Sequence, residues 1–255
     1  MAHTLVTGGA GFLGSHLCDR LIEQGHLVDC IDNLFTGNKS NISHFSGKMN
    51  FKFLNYDVTF PLNTQYDEIY NLACPASPIH YQSDPVQTIK TNVLGAINML
   101  ELATRCGAKI LQASTSEVYG TAETDLMNEG HPLNPMSPYA AAKAGADRLV
   151  FSYNKTYGIP SVIIRPFNNY GPYQFPEKLI PLCTLNALNG KSLPIYGDGQ
   201  QIRDWIYVKD HCSAIHKILN EGQIGETYNV GSCDEKTNLE VVQTLTARRV
   251  TDGDL

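Results

Sequence analysis

Short apolar runs alternate with longer stretches of helical periodicity through most of the chain. His3–Thr7 is strand-length and apolar and leads into a glycine-rich turn. Leu17, Leu21 and Ile22 then recur at helical spacing until Gly25 ends the pattern. Residues 27–31 form a second strand, so the chain opens on a βαβ unit. Further strands are predicted over Phe51–Asn55, 68–72, Lys109–Ala113 and 161–165, with helices over Pro85–Cys106 and 140–157. Strands that alternate with helices need crossover connections, which predicts an α/β fold with a doubly wound parallel sheet. The texture changes after Pro166: Pro172, Pro176, Pro181, Pro194 and the turn Gly197-Asp198-Gly199 mark loop-rich structure. Residues 1–166 are therefore expected to form one domain and 167–255 a smaller lobe, with a strand near 226–231 returning to the sheet.

Composition narrows the classes of function. Of 255 residues 42% are hydrophobic and 17% charged, which suits a folded core and excludes disorder. The formal charge is 19 − 25 = −6, the wrong sign for a general nucleic-acid or anionic-membrane binder. No apolar run nears the roughly 18 residues of a membrane span, and no signal peptide precedes the first strand. The seven cysteines are scattered without a CxxC pair, which reads as reduced thiols in a cytoplasmic protein and gives no metal site.

Gly8-Gly9-Ala10-Gly11-Phe12-Leu13-Gly14 spaces three glycines evenly between the first strand and the first helix. Gly8 suits a tight turn, Gly11 the approach of backbone to a pyrophosphate, and Gly14 close packing of helix on sheet. Phosphates would lie at the positive helix N-terminus. Asp32 ends the second strand, where a carboxylate can accept both adenosine ribose hydroxyls and repel a 2′-phosphate. That favours NAD over NADP; the alternative is a glycine turn that serves packing alone.

Tyr139-Ala140-Ala141-Ala142-Lys143 puts a phenol and an ammonium on one helix face. A nearby cation and a cationic nicotinamide ring would favour phenolate, so Tyr139 could take a proton from a sugar hydroxyl as hydride leaves the same carbon. An exposed ion-dipole pair is the alternative. Ser114-Thr115-Ser116-Glu117 follows the strand Lys109–Ala113, at the carboxyl edge where such sheets bind ligands. Thr115 could hydrogen-bond the reacting hydroxyl and Glu117 could act as a second acid or base. Turn capping accounts for one of these hydroxyls but not for the whole run.

These motifs resemble the extended short-chain dehydrogenase/reductase family that acts on nucleotide sugars, from Leu5 to about Leu245. The resemblance implies a Rossmann-type sheet with a smaller C-terminal substrate-binding lobe, tightly held NAD, and chemistry through a 4-keto sugar. It implies cofactor contacts at Gly8, Gly11, Phe12, Leu13, Asp32, Asn33, Asp57, Val58, Leu72, Ala73, Pro75, Asn92, Tyr139 and Lys143, with Asp57 and Val58 at the adenine. The first 120 residues resemble UDP-glucuronate decarboxylases through Leu72-Ala73-Cys74-Pro75-Ala76-Ser77-Pro78-Ile79-His80-Tyr81-Gln82 and Thr88-Ile89-Lys90-Thr91-Asn92-Val93. From Ser137 onward the chain resembles dTDP-glucose 4,6-dehydratases through Asn168-Asn169-Tyr170-Gly171-Pro172-Tyr173, Phe175-Pro176-Glu177-Lys178-Leu179-Ile180-Pro181 and Ile202-Arg203-Asp204-Trp205. That half implies that Asn168, Lys178, Leu179, Pro194, Tyr196, Arg203 and Asn238 hold the nucleotide diphosphate and base; a salt bridge to Asp204 or Asp198 is the alternative for Arg203.

Ser116 separates the two reactions. The dehydratases typically carry Asp there to protonate the departing C6 hydroxyl, and serine is no equivalent acid. Decarboxylation needs none, because a C6 carboxylate is β to the C4 ketone. GDP-mannose 4,6-dehydratases also share this Thr-Ser-Glu. The expectation is an NAD-dependent nucleotide-sugar lyase with Thr115, Ser116, Glu117, Tyr139 and Lys143 as its catalytic set. It would act on UDP- or dTDP-glucuronate, with 4,6-dehydration second, and C4 epimerisation or a non-catalytic NAD-binding role behind. A homodimer is implied, for which the helices around 85–106 and 140–157 could supply a four-helix interface; a buried internal face is the equal alternative for them. The resemblance fades at Leu245, so 246–255 reads as the remnant of an incomplete C-terminal lid.

Overall fold

The computed structural model describes residues 1–124 and 127–251. In chain order the elements are β1 (His3–Thr7), α1 (Phe12–Glu23), β2 (Leu27–Asp32), β3 (Phe51–Asn55), β4 (Glu68–Asn71), α2 (Pro78–Ser83), α3 (Pro85–Cys106) and β5 (Lys109–Ala113). Then come α4 (Pro138–Tyr157), β6 (Ser161–Pro166), β7 (Asn168–Tyr170), α5 (Leu179–Leu188), β8 (Ile202–Tyr207), α6 (Val208–Glu221), β9 (Thr227–Val230), β10 (Glu235–Thr237) and α7 (Asn238–Thr251).

Seven strands form a parallel sheet in the order β3-β2-β1-β4-β5-β6-β9. The order reverses beside β1, which opens a crevice at the carboxyl ends of β1 and β4. Both faces are covered, and alternate residues of each strand divide between them. Val6, Tyr70, Leu111 and Ile164 pack with α1 and α6, whereas Leu5, Ile69, Ile110 and Ile163 pack with α3 and α4. The helices are well terminated. Asp84 caps α3 and Ser137 caps α4, each with Pro in the first turn, and left-handed Gly107 and Gly158 close their ends.

The strand 227–230 rejoins the sheet beside β6, as expected. Helix α6 joins the sheet as well. Helix α6 packs on α1, and its Val208, Cys212, Ile215 and Leu219 belong to the same core as β1 and β5. Its apolar stripe needs the sheet face; β7, α5, β8, β10 and α7 gather around a three-stranded sheet ordered β10-β8-β7, and Ile206 of β8 reaches into the same core. Residues 252–255 of the expected remnant lie outside the described residues, and 238–251 form α7. Among the described residues no helix is long and apolar enough to cross a membrane. All seven cysteines are free.

One ion pair ties α4 to the sheet. Arg165 on β6 donates from Nε to Asp147 on α4 at 3.1 Å, with both side chains buried. The guanidinium also donates to the Tyr119 hydroxyl at 3.0 Å and lies over its ring. Tyr119 in turn donates to Asn229 of β9 at 2.7 Å. Removing one partner of such a pair strands a charge in the core. Asp147→Ala is therefore expected to lower unfolding free energy in urea by about 3–5 kcal/mol. The double change Asp147→Leu with Arg165→Met, which leaves no charge behind, should recover most of that loss.

Candidate active site

The carboxyl ends of β1, β4, β5 and β6 open into a cavity of about 670 Å³. Its cofactor side begins at the glycine turn. Gly8 has φ +68°, and a Cβ there would stand 2.9 Å from the Ala73 Cα, so only glycine fits. A Cβ on Gly14 would fall on the Gly8 carbonyl, which is why α1 can start so close to β1. Asp32 accepts from the amides of Ala10 at 3.1 Å and Leu34 at 2.7 Å, with Gly37 folded over it. Burial raises its carboxyl, and those two amides oppose the rise. The carboxylate is thus held rigidly at the rim, with lone pairs left for ribose hydroxyls.

A chain of buried hydrogen bonds runs under the site. Thr7 Oγ1 donates to Asn71 Oδ1 at 2.7 Å, Asn71 Nδ2 to Gln112 Oε1 at 2.7 Å, and Gln112 Nε2 to the Ala113 carbonyl at 3.1 Å. Lys143 Nζ donates to the same carbonyl at 2.8 Å. The lysine is 3% exposed and committed to β5. The Tyr139 phenol is raised well above its ordinary value, first by burial and then by Cys74 and Glu117, against the pull of the Thr115 hydroxyl. Tyr81 stacks on it with ring centroids 4.8 Å apart.

Thr115 caps the short 3-10 turn Ser116–Tyr119 and accepts from the Glu117 amide at 3.2 Å. That turn projects Ser116 and Glu117 into the cavity. Glu117 is open to the cavity rather than packed in the core. The enclosing protein still strips enough water to raise its carboxyl, while Lys178 and Arg203 lower it. Lys178 donates to the Ala76 carbonyl at 3.1 Å, and Ser77 donates to Glu177 beside it. These contacts pin the 172–178 segment over the 74–77 loop. Among the described residues Arg203 makes no salt bridge; Asp204 is engaged by Ser232 and Cys233, and Asp198 by Gln200 and Gln201.

Of the expected cofactor residues, Gly8, Gly11, Phe12, Leu13, Asp32, Asn33, Val58, Leu72, Ala73 and Pro75 line the cavity with Thr115, Tyr139 and Lys143. Asn168, Lys178, Leu179, Arg203 and Asn238 line it from the other side. Four expected residues do not. Asp57 is occupied by Thr59 and Asn33, whose hydrogen bonds outweigh its partial burial and lower its carboxyl. It orients Asn33 instead of facing the cavity. Asn92 is buried behind Cys74, donating to its sulfur at 3.0 Å and to the Thr88 carbonyl at 2.9 Å. Pro194 turns back toward Cys183 of α5, and Tyr196 is 77% exposed at the surface. Sequence reasoning missed Thr7, Asn71, Gln112, Tyr81 and the Arg165–Asp147 pair. A polar side chain at the buried end of an apolar strand was the available signal.

The folded Tyr139 phenol keeps its proton past the pH at which the unfolded one releases it. Stability should therefore fall as pH climbs above about 10. Tyr139→Phe should lessen that fall, as followed by urea midpoints across alkaline pH.

A profile of the family described as GDP-mannose 4,6 dehydratase matches residues 5–254. UDP-glucuronic acid decarboxylase 1 of Danio rerio is 42% identical over 248 residues; the match takes in 94% of this chain and 59% of that protein. The dTDP-glucose 4,6-dehydratase of Xanthomonas campestris is 42% identical over 266 residues, 97% of this chain and 76% of the relative. The chain thus spans little more than half of one relative and three quarters of the other. The crystal structure of dTDP-glucose 4,6-dehydratase from Bacillus anthracis in complex with NAD is 39% identical with a TM-score of 0.89, covering 97% of this chain and 81% of that one. The profile match runs through the glycine turn, the Tyr139–Lys143 pair and the Lys178–Arg203 wall alike, and the chain belongs to the GDP-mannose 4,6-dehydratase family of extended short-chain dehydrogenase/reductases.

Proposed function

We propose that this chain is the catalytic core of an NAD-dependent nucleotide-sugar lyase that decarboxylates a UDP- or dTDP-linked glucuronate through a 4-keto intermediate. The observation that carries the reaction type is the acid inventory of the cavity. Among the described residues, Glu117 is the one carboxylate lining its catalytic end, Ser116 stands beside it, and Lys178 and Arg203 act on it electrostatically. A catalytic end with one carboxylate and the cations Lys143, Lys178 and Arg203 suits a substrate that brings its own carboxylate and diphosphate. The glycine cradle that a Cβ would fill and the Asp32 carboxylate fit a dinucleotide.

When bound, NAD supplies the hydride acceptor for C4, the hydride returned at the end, and a ring charge that favours phenolate. Thr115 orients the C4 hydroxyl and Tyr139 takes its proton. Lys143 holds the helix to Ala113 and keeps the phenol in register. With C4 a ketone, the C5–C6 bond breaks, CO₂ leaves, and the electron pair moves into the carbonyl, where protonated Tyr139 hydrogen-bonds the oxygen. Glu117, with its raised carboxyl, carries the proton that C5 then receives. The second reading is 4,6-dehydration of a nucleotide hexose, with Glu117 as the C5 base. The likeness to the Xanthomonas campestris dehydratase over nearly the whole chain favours it.

The protein is further proposed to be a homodimer. Leu94 on α3 and Phe151 on α4 are exposed apolar residues on helices that pack side by side.

Incubation with UDP-glucuronate, dTDP-glucuronate and dTDP-glucose tests the reaction: CO₂ and a nucleotide pentose are expected. A 4-keto-6-deoxy product without CO₂ selects the dehydratase. Glu117→Gln should slow either lyase by about 10²-fold or more, whereas a simple epimerase would keep its rate. Leu94→Glu with Phe151→Asp should leave a monomer by sedimentation.

A further inference from the structure

The α6 wall of the cavity carries polar atoms that the chemistry above does not use. His211 is completely buried yet lines the cavity, and neither ring nitrogen has a hydrogen-bond partner among the described residues. Buried polar groups are paired in the great majority of cases, and a bare one costs stability. Burial keeps the ring neutral, its pKa pushed down to about 4, so it offers one N–H donor and one acceptor nitrogen.

Its place in the fold is set from two sides. The next residue, Cys212, points its thiol at the Leu13 carbonyl at 3.7 Å, which lays the start of α6 against the first turn of α1. On the other flank Gly171 lies so close to Val208 that a Cβ would meet its side chain. His211 therefore shares one wall with the glycine turn, where the phosphates of a dinucleotide belong. Trp205 Nε1, Asn169 Oδ1 and Gln174 Oε1 are also buried without partners, and their residues line the same cavity.

We propose that His211 is a cofactor-binding residue whose imidazole N–H donates, from α6, to the pyrophosphate of the dinucleotide held by the glycine turn. The inference rests on the NAD reading above and adds a residue to it. A donor facing a phosphate oxygen makes a charge-assisted hydrogen bond, stronger than a neutral one. It also gives the buried ring the partner that the protein itself withholds.

Calorimetric titration of the NAD-stripped full chain tests this, with wild type, His211→Phe and His211→Gln compared. His211→Phe should bind NAD and ADP-ribose about tenfold more weakly or worse, with adenosine binding unchanged. The melting temperature of the stripped His211→Phe protein should equal or exceed that of wild type, because an unpaired ring is replaced by an apolar one. Equal NAD affinity in wild type and both variants overturns the proposal. A wild-type chain that binds no NAD overturns the cofactor reading itself. The wild-type protein gives a second readout that needs no substitution: the His211 ring-nitrogen resonances should shift when NAD is added, and unmoved resonances overturn the proposal even if the variants fail to fold.

Discussion

Helix α4 buries three ionisable side chains on one stripe, and the architecture of the site follows from what that requires. Tyr139, Lys143 and Asp147 recur at four-residue spacing, and each is less than a tenth exposed. A buried charge needs a partner. Asp147 meets Arg165 of β6, and Lys143 meets the Ala113 carbonyl of β5. The two contacts clamp the helix across adjacent strands at a fixed rotation. Tyr139, one turn further toward the N-terminus, is thereby aimed at the mouth of the crevice.

The same logic extends under the sheet edge. Thr7, Asn71 and Gln112 form a hydrogen-bonded row that ends on the carbonyl Lys143 holds. Thr7 also accepts from the amides of Leu72 and Ala73, each at 3.0 Å, so the start of the 72–77 loop is tied to the strand that carries the glycine turn. Cofactor end and catalytic end are therefore one polar framework in an otherwise apolar sheet. Across the cavity, Lys178 and Arg203 set the electrostatics at Glu117 from the smaller lobe. The lobe acts on the chemistry through charge, and the sheet acts on it through position.

Much of the fold was legible from periodicity. Every strand predicted in the first 166 residues is present within a residue or so, because a two-sided parallel sheet demands near-continuous apolar runs that glycine and proline punctuate. That α6 covers the sheet was not legible, because an amphipathic helix does not declare which apolar face it will cover. Pro194, Tyr196, Asp57 and Asn92 were assigned by resemblance to motifs, and a motif carries no information about whether a side chain has already been taken by a neighbour. Asp57 is taken by Thr59 and Asn33, and Asn92 by Thr88 and Cys74.

The sequence by itself determined the βαβ start, the glycine turn with Asp32, and the Thr-Ser-Glu and Tyr-Lys motifs. Each is encoded by spacing within a few residues, where geometry follows directly from helical or strand period. Tertiary structure alone decided what surrounds them. It anchored Lys143 on the Ala113 carbonyl and set Lys178 and Arg203 against Glu117. It also left His211 bare in the cavity wall. Those relations join residues dozens to more than a hundred positions apart, and only the packing of strands and helices brings them within the few ångströms at which hydrogen bonds and charges act.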